Sequence, residues 1–89
     1  MYSKNVTVTN PTGLHDKAAS EFVGTAANFD SRITVRRVDG VEEANAKSIV
    51  FLLSLNITPG TEVEIAARGD DEVEAVNTLV ELIEAGFGK

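Results

Sequence analysis

The feature that most constrains the fold is an alternating run from Thr61 to Arg68. Its apolar positions are Val63, Ile65 and Ala67, which alternate with Glu62, Glu64 and Ala66. Successive side chains of a strand point to opposite faces, so the pattern predicts a strand with one buried face and one face in water. Such a strand suits an antiparallel sheet that helices cover on one side only.

Two other segments carry the same signature. The first strand is predicted from Tyr2 to Thr9, with Val6 and Val8 facing inward. A later strand is predicted from Ile33 to Val38, and Val38 itself breaks the alternation, which indicates a bulge or an early strand end. Each of these strands has a single apolar face.

The dipeptide Asp39-Gly40 follows this strand directly and is a hairpin signal. Asp-Gly favours a type I′ turn, because both central residues of that turn need a positive φ. A short partner strand is therefore predicted from Val41 to Glu43.

Two longer segments have the pattern of amphipathic helices. The first helix is predicted from about Asp16 to Asn28, with an apolar stripe of Ala19, Phe22, Val23, Ala26 and Phe29. The last helix starts near Asp71, which stands at capping-box spacing from Glu74, and ends at Gly86. Its predicted buried stripe is Val73, Val76, Leu79, Val80 and Ile83.

A short apolar run from Ile49 to Asn56 lies between the last two strands. Periodicity alone cannot distinguish a helix from a strand in so short a run. Candidate caps at Asn45 and Ser48, and Asn56 at the end, favour a short helix that leaves Phe51 partly exposed.

The resulting order is strand, helix, strand, strand, helix, strand, helix. It predicts an α+β fold of the open-faced β-sandwich type, with a four-stranded antiparallel sheet and three helices on one face. Residues 1–89 are expected to form one domain.

Composition excludes several classes of function. Eight basic against fourteen acidic residues give a net charge of −6, which argues against nucleic-acid binding. The acidic surplus fits either protein partners with basic surfaces or a role of the charge in solubility. No apolar run is long enough to span a membrane and no signal peptide is evident, so a cytoplasmic location is expected. With no cysteine and one histidine, neither a metal site nor a cofactor is expected.

The lone histidine, His15, lies where the first strand pattern gives way to the first helical pattern. The N-terminus of a helix presents unpaired N–H groups and the positive end of the helix dipole, which together form an anion site. A histidine in such a place is, taken alone, more often a surface residue or a cap than a nucleophile.

Three motifs resemble those of the HPr family, the histidine-containing phosphocarriers of the bacterial phosphoenolpyruvate-dependent sugar phosphotransferase system. They are Gly13-Leu14-His15, the block from Asn45 to Ile49, and Pro59-Gly60-Thr61. The resemblance implies that His15 accepts a phosphoryl group from Enzyme I and passes it to Enzyme IIA domains. It implies a carrier without turnover of its own. The block from Asn45 to Ser48 and the segment from Glu81 to Lys89 look most like forms from Gram-positive bacteria.

The same resemblance implies roles for the run that follows Lys47. Ser48 matches the serine that an HPr kinase/phosphorylase modifies in Gram-positive members, and such members also bind a catabolite-control transcription factor. Ile49, Phe51 and Leu52 fall where the family docks its partners. Without the resemblance, Ser48 is a simple N-cap and the apolar residues are core with one exposed member.

The chain departs from the family motif directly after the histidine. The usual Gly-(Leu or Ile)-His-x-Arg-Pro-Ala continues here with Asp16, Lys17 and Ala18. Lys17 is expected to contact the phosphate in place of the arginine, without its two-pronged geometry. Asp16 offers a backbone donor and a tuning charge, and its side chain either bonds the imidazole, faces the phosphate or points to water. We expect both residues to make the phosphorylated state less favourable.

Two other functions compete with phosphoryl carriage in sugar uptake. One is a regulatory interaction protein that signals through Ser48 and through the apolar patch of Ile49, Phe51 and Leu52. The family members of that kind, however, lack a histidine at the position of His15. The other is a carrier for a nitrogen-related or otherwise specialised branch, which would differ only in its partners.

Overall fold

The computed structural model describes residues 1–87 and contains the predicted order of elements. The strands are β1 (Tyr2–Thr7), β2 (Arg32–Arg37), β3 (Glu43–Asn45) and β4 (Glu62–Arg68). The helices are α1 (Asp16–Ala26), α2 (Ile49–Ser54) and α3 (Glu72–Glu84). The predicted α+β open-faced sandwich is confirmed. No helix of the described residues is long and apolar enough to cross a membrane.

The four strands form one antiparallel sheet in the order β1-β4-β2-β3. The alternating strand β4 is central, with Val63 opposite Val6 of β1 and Ile65 opposite Val35 of β2. These four valine and isoleucine side chains are buried on the helix side. The other face carries small and charged residues, so the helices cover one side of the sheet.

The core lies between the sheet and the helices. Its largest fully buried side chains include Leu14, Phe22, Ile33, Leu52, Ile57, Leu79 and Ile83. Helix α1 buries Ala18 and Ala26 together with Phe22, and Phe29 beyond its end is half-buried against the same core. The apolar stripes predicted for α1 and α3 therefore face the core, apart from Val73 of α3.

The hairpin after β2 differs from the prediction. Neither Asp39 nor Gly40 has a positive φ, and the turn bond runs from the Gly40 amide to the Arg37 carbonyl at 3.0 Å, so the type I′ turn is wrong. Strand β3 begins at Glu43 instead of Val41, which is 94% exposed in the loop. The local signal fails here because the Arg36 side chain, which Glu64 of β4 binds, donates to three carbonyls of residues 37–40.

The start of α3 also differs from the prediction. Asp71 is the N-cap residue but makes no capping bond, and its carboxylate instead accepts from the Asp30 amide at 2.9 Å and from the Ser31 amide and hydroxyl. These bonds, that of the Ser31 hydroxyl above all, lower the pKa of Asp71. The carboxylate that reaches back is Glu72, which accepts from the Gly69 amide at 3.1 Å. The prediction that Asp71 and Glu74 form a capping box is therefore wrong.

Helix α3 otherwise follows its pattern. Val73 is 49% exposed, so its predicted burial is wrong, and Ala75 takes the buried place in the first turn. At the other end Gly86 has φ 66°, and the Phe87 amide bonds the Leu82 carbonyl at 3.1 Å. This is a Schellman end, as the glycine predicted.

Candidate functional site

His15 is held in place by the two residues before it. The Leu14 side chain is fully buried, and its amide donates to the Ile57 carbonyl at 3.0 Å. Gly13 has φ 64°, and a Cβ there would overlap the same carbonyl oxygen. Only glycine fits this left-handed and crowded position. The main chain therefore delivers His15 to the start of α1 at a fixed place beside the segment that follows α2.

His15 is the N-cap residue of α1. Its backbone is extended, with φ −133° and ψ 167°, and its side chain makes no capping bond. The ring is half-buried. The prediction that His15 lies at the helix start is confirmed, with its ring partly open to solvent.

Three backbone donors next to His15 have no acceptor within residues 1–87. They are the amides of Asp16, Lys17 and Ala18, whereas the Ala19 amide bonds the His15 carbonyl at 3.3 Å. Unpaired amides in the first turn, together with the helix dipole, favour a negative charge at this end. The site can therefore receive an anion.

Asp16 has an unusual backbone. Its φ of 51° is left-handed, a conformation that costs most L-residues roughly 1–2 kcal/mol but that Asp and Asn tolerate better than others. Its side chain is exposed and makes no hydrogen bond or ion pair with any described residue. Of the three predicted alternatives, a bond from Asp16 to the imidazole is absent from residues 1–87.

Lys17 is exposed, and no carboxylate of the described part of the chain lies within 4.0 Å of its ammonium. Lys47, by comparison, is occupied by a 2.6 Å bond to the Phe29 carbonyl. A cleft of about 240 Å³ runs from Lys17 to the end of α3. It is lined by Asn10, Pro11, Thr12, Asp16, Lys17, Ala18, Glu21, Gly86 and Phe87.

Asn10 supports the turn that leads to His15. Its buried side-chain nitrogen donates to the Gly13 carbonyl at 2.6 Å and to the Thr12 hydroxyl at 3.2 Å. Its Oδ1 has no partner within residues 1–87. The sequence carries a signal for such a brace, which is an Asn in a turn that ends in a left-handed glycine.

Ser48 caps α2, as predicted. Its Oγ accepts from the Phe51 amide at 3.5 Å, and the residue is half-buried. Asn45 does not cap the helix, because its Oδ1 accepts from the Lys47 amide at 2.9 Å. Asn56 follows the helix with φ 51°, which confirms its predicted place at the end of α2.

The apolar residues of α2 divide between core and surface. Phe51 is 60% exposed, as predicted, and Ile49 is half-buried against the core. Leu52 is fully buried, so its predicted contact with partners is wrong. Val50 and Leu53 are exposed instead and were missed. In a helix of six residues that is apolar all round, sequence does not say which side faces the sheet.

No group of three or more histidine, aspartate or glutamate side chains within residues 1–87 could hold a metal ion.

Residues 2–85 match the family described as the PTS HPr component phosphorylation site. The chain belongs to the HPr family. Among curated members, the phosphocarrier protein HPr of Haemophilus influenzae is 46% identical over 83 residues, which is 93% of this chain and 95% of that protein.

Solved structures agree with this membership. The HPr of Thermoanaerobacter tengcongensis is 43% identical, with a TM-score of 0.95 over 100% of this chain and 98% of that one. Crh, the Bacillus subtilis catabolite repression containing protein, forms a dimer with a swapped domain. It is 36% identical, with a TM-score of 0.74 over 97% of each chain. The family thus includes both phosphocarriers and a protein named for catabolite repression.

Proposed function

We propose that this HPr-family phosphocarrier accepts a phosphoryl group on Nδ1 of His15 from Enzyme I and passes it to Enzyme IIA domains during sugar uptake in the cytoplasm. The observation that supports this most is the position of His15, which caps α1 beside three unpaired amides and keeps its ring partly open. A carrier of this kind is a component of a transfer system and not an independent catalyst.

The transfer needs little beyond positioning and charge stabilisation. The lone pair of the neutral imidazole attacks phosphorus, a P–N bond to His15 forms, and the bond between phosphorus and the donor residue of Enzyme I breaks. The phosphoryl group then leaves to the acceptor by the reverse exchange.

The phosphate would be held by the amides of Asp16 and Lys17 and by the Lys17 ammonium. The amides supply fixed donors at the positive end of α1. Lys17 supplies a mobile point charge, which lacks the planar fork of an arginine and holds the phosphate less rigidly. Asp16 places a carboxylate beside the dianion, and we propose that it lowers the stability of the phosphorylated state.

Partners would dock on α2, with Phe51 as the main apolar contact. Exposed Val50 and Leu53 extend this surface, and Ile49 supports it from the core side. Ile57, shortly after the helix, accepts a hydrogen bond from the amide of Leu14, the residue before His15. A protein bound to α2 would therefore stand beside the phosphoacceptor.

A second candidate function is regulatory signalling through Ser48. The similarity to Crh and the position of Ser48 at the N-terminus of α2 favour it. A phosphate on Ser48 would add roughly −1.5 to −2 charges at a helix end that tolerates anions, so it would alter docking at α2 with little effect on the fold. An HPr kinase/phosphorylase and a catabolite-control transcription factor would be the partners.

One experiment separates the two functions. The chain is incubated with Enzyme I and phosphoenolpyruvate, and its intact mass is measured before and after mild acid. Phosphoryl carriage predicts an acid-labile adduct that His15→Ala removes and the matched control Ser48→Ala retains. An acid-stable adduct that forms only with ATP and the kinase, and that Ser48→Ala removes, would support signalling. A chain that takes no phosphate from Enzyme I refutes the proposed carrier role.

A further inference from the structure

Asn10 is one of two polar residues that are buried within residues 1–87, and its side chain serves a single turn. The other is Ser31, whose amide and hydroxyl bond Asp71 and thereby join two distant parts of the chain. Asn10 is only 6% exposed, yet its side chain bonds residues two and three positions later. The side chain of Asn10 therefore organises the turn before His15 and links no distant elements.

Three hydrogen bonds join Asn10 to this turn. Its backbone carbonyl accepts from the Gly13 amide at 3.0 Å, and its Nδ2 donates to the Gly13 carbonyl at 2.6 Å. The second N–H of the side-chain amide donates to the Thr12 hydroxyl at 3.2 Å. Both polar groups of the Gly13 main chain are thus bonded to one residue.

The peptide unit between Gly13 and Leu14 is held at both of its polar groups. Asn10 binds its carbonyl, and its amide, which belongs to Leu14, donates to the Ile57 carbonyl at 3.0 Å. Gly13 has φ 64°, and a residue without a Cβ adopts many other backbone conformations at little steric cost. The two bonds therefore supply a restraint that the glycine lacks, one residue before His15.

Stability alone does not account for a side-chain amide at position 10. The Oδ1 of Asn10 is buried and has no partner within residues 1–87, and a buried acceptor without a partner lowers the stability of the folded chain. What the amide supplies is the pair of donors on Nδ2, and these act on the turn that carries His15. The arrangement favours a role in placing the histidine.

We infer that Asn10 is a positioning residue for the proposed phosphoryl transfer, in which it holds the Gly13-Leu14 peptide in one orientation and so fixes the place of His15 at the start of α1. This inference rests on the proposed function. Phosphoryl transfer depends on an in-line approach of the nucleophile to phosphorus, and a displacement of about 1 Å lowers such a rate about a hundredfold. Because its side chain is buried, Asn10 acts on the reaction only through the main chain.

The test measures phosphate transfer from phosphorylated Enzyme I to the full chain by rapid quench at a series of chain concentrations. The data give a maximal rate and a half-saturating concentration. Asn10→Ala should lower the maximal rate about ten- to hundredfold, because His15 is no longer held in one place. It should leave the half-saturating concentration within twofold of the parent, because the exposed side of α2 is unchanged. Amide hydrogen exchange should accelerate more at Gly13 and Leu14 than at Ile65 in β4.

Two further variants separate positioning from stability. Asn10→Ser keeps a turn-forming residue, but its shorter side chain does not reach the Gly13 carbonyl, so it should lower the maximal rate as Asn10→Ala does. It also decides the test if Asn10→Ala does not fold. The control is Ile33→Val, which removes a methylene group from the buried core at β2. Ile33→Val should lower the unfolding temperature and leave the maximal rate unchanged.

A maximal rate of Asn10→Ser within threefold of the parent overturns the inference, and so does an equal loss of rate in Ile33→Val. An effect confined to the half-saturating concentration assigns Asn10 to binding and also overturns it. A parent chain that takes no phosphate from Enzyme I overturns the proposed function together with this inference. A phosphorylated parent beside unaffected Asn10 variants overturns this inference alone.

Discussion

Replacing Asp16 by Asn should shift the phosphorylation equilibrium of His15 toward the phosphorylated form. The substitution removes one charge and keeps the side-chain shape, and Asn tolerates the left-handed φ of 51° as well as Asp does. Ala at this position would add backbone strain, so Asn isolates the electrostatic effect.

The magnitude follows from the charges. A carboxylate at about 6 Å from a dianion is repelled by roughly 1–2 kcal/mol in a water-like dielectric. The interaction of Asp16 with the dipole of α1, roughly 0.3–1 kcal/mol, is present before and after phosphorylation and cancels from the equilibrium. The Asn variant should therefore raise the equilibrium constant by about five- to thirtyfold, and by less at high salt because exposed charges are screened.

The assay equilibrates the chain with Enzyme I at fixed ratios of phosphoenolpyruvate to pyruvate and measures the phosphorylated fraction by intact mass. Glu74→Gln is the matched control. This exposed carboxylate lies near the start of α3, about 18 Å along the helix from its Gly86 end at the cleft, which is beyond the Debye length of about 8 Å. An Asp16→Asn variant whose equilibrium stays within twofold of the parent would refute the reasoning.

Five other substitutions test the fold and the site. Asp71→Asn should lower the free energy of unfolding, measured in urea at pH 7. Because the pKa of Asp71 is lowered in the folded chain, the carboxylate stabilises the fold above its ordinary pKa of 3.8, and this stabilisation is lost as the pH falls through the folded pKa. The difference in stability between the variant and the parent should therefore shrink on acidification. Gly13→Ala should destabilise the chain by more than about 1 kcal/mol, because the added Cβ would overlap the main chain at a position with positive φ. Gly24→Ala is the control. Its added Cβ would lie in open space within α1, so this variant should be more stable than the parent by about 0.5–1 kcal/mol. Leu52→Ala should lower the free energy of unfolding by about 2–5 kcal/mol, because Leu52 is fully buried. Phe51→Ser should change it by less than about 0.5 kcal/mol and should weaken binding to Enzyme I, because Phe51 is exposed. A larger loss of stability for Phe51→Ser than for Leu52→Ala would contradict these positions on α2.

The sheet could be predicted because its signals are local and repeated. Val63 and Ile65 alternate with Glu62 and Glu64, and this pattern predicts both a strand and its buried face. The short helix α2 was predictable from its caps, since Ser48 and Asn56 mark its ends. The side of α2 that faces the core was not predictable, because every residue of the run up to Leu53 is apolar.

Two of the wrong predictions have a similar physical cause, in which a side chain binds groups that the local pattern would pair otherwise. Asp39-Gly40 has the composition of a tight hairpin, yet the Arg36 guanidinium, which also bonds Glu64 of β4, binds three carbonyls of residues 37–40. Asp71 has the spacing of a capping residue, yet its carboxylate bonds Asp30 and Ser31, which lie 40 and more positions earlier in the chain. Local spacing shows which bonds a side chain can make, and tertiary structure decides between them.

His15, the proposed phosphoacceptor, and α2, the proposed docking helix, are connected through main-chain contacts. The Leu14 amide bonds the Ile57 carbonyl, and Gly13 lies against the same peptide, so the start of α1 and the end of α2 are fixed to each other without exposed side chains. Substitutions at Phe51 or Val50 can therefore change which partner binds without moving His15. Because these contacts fix the main chain at His15, we expect substitutions on the exposed side of α2 to alter binding while the proposed geometry of phosphoryl transfer stays the same.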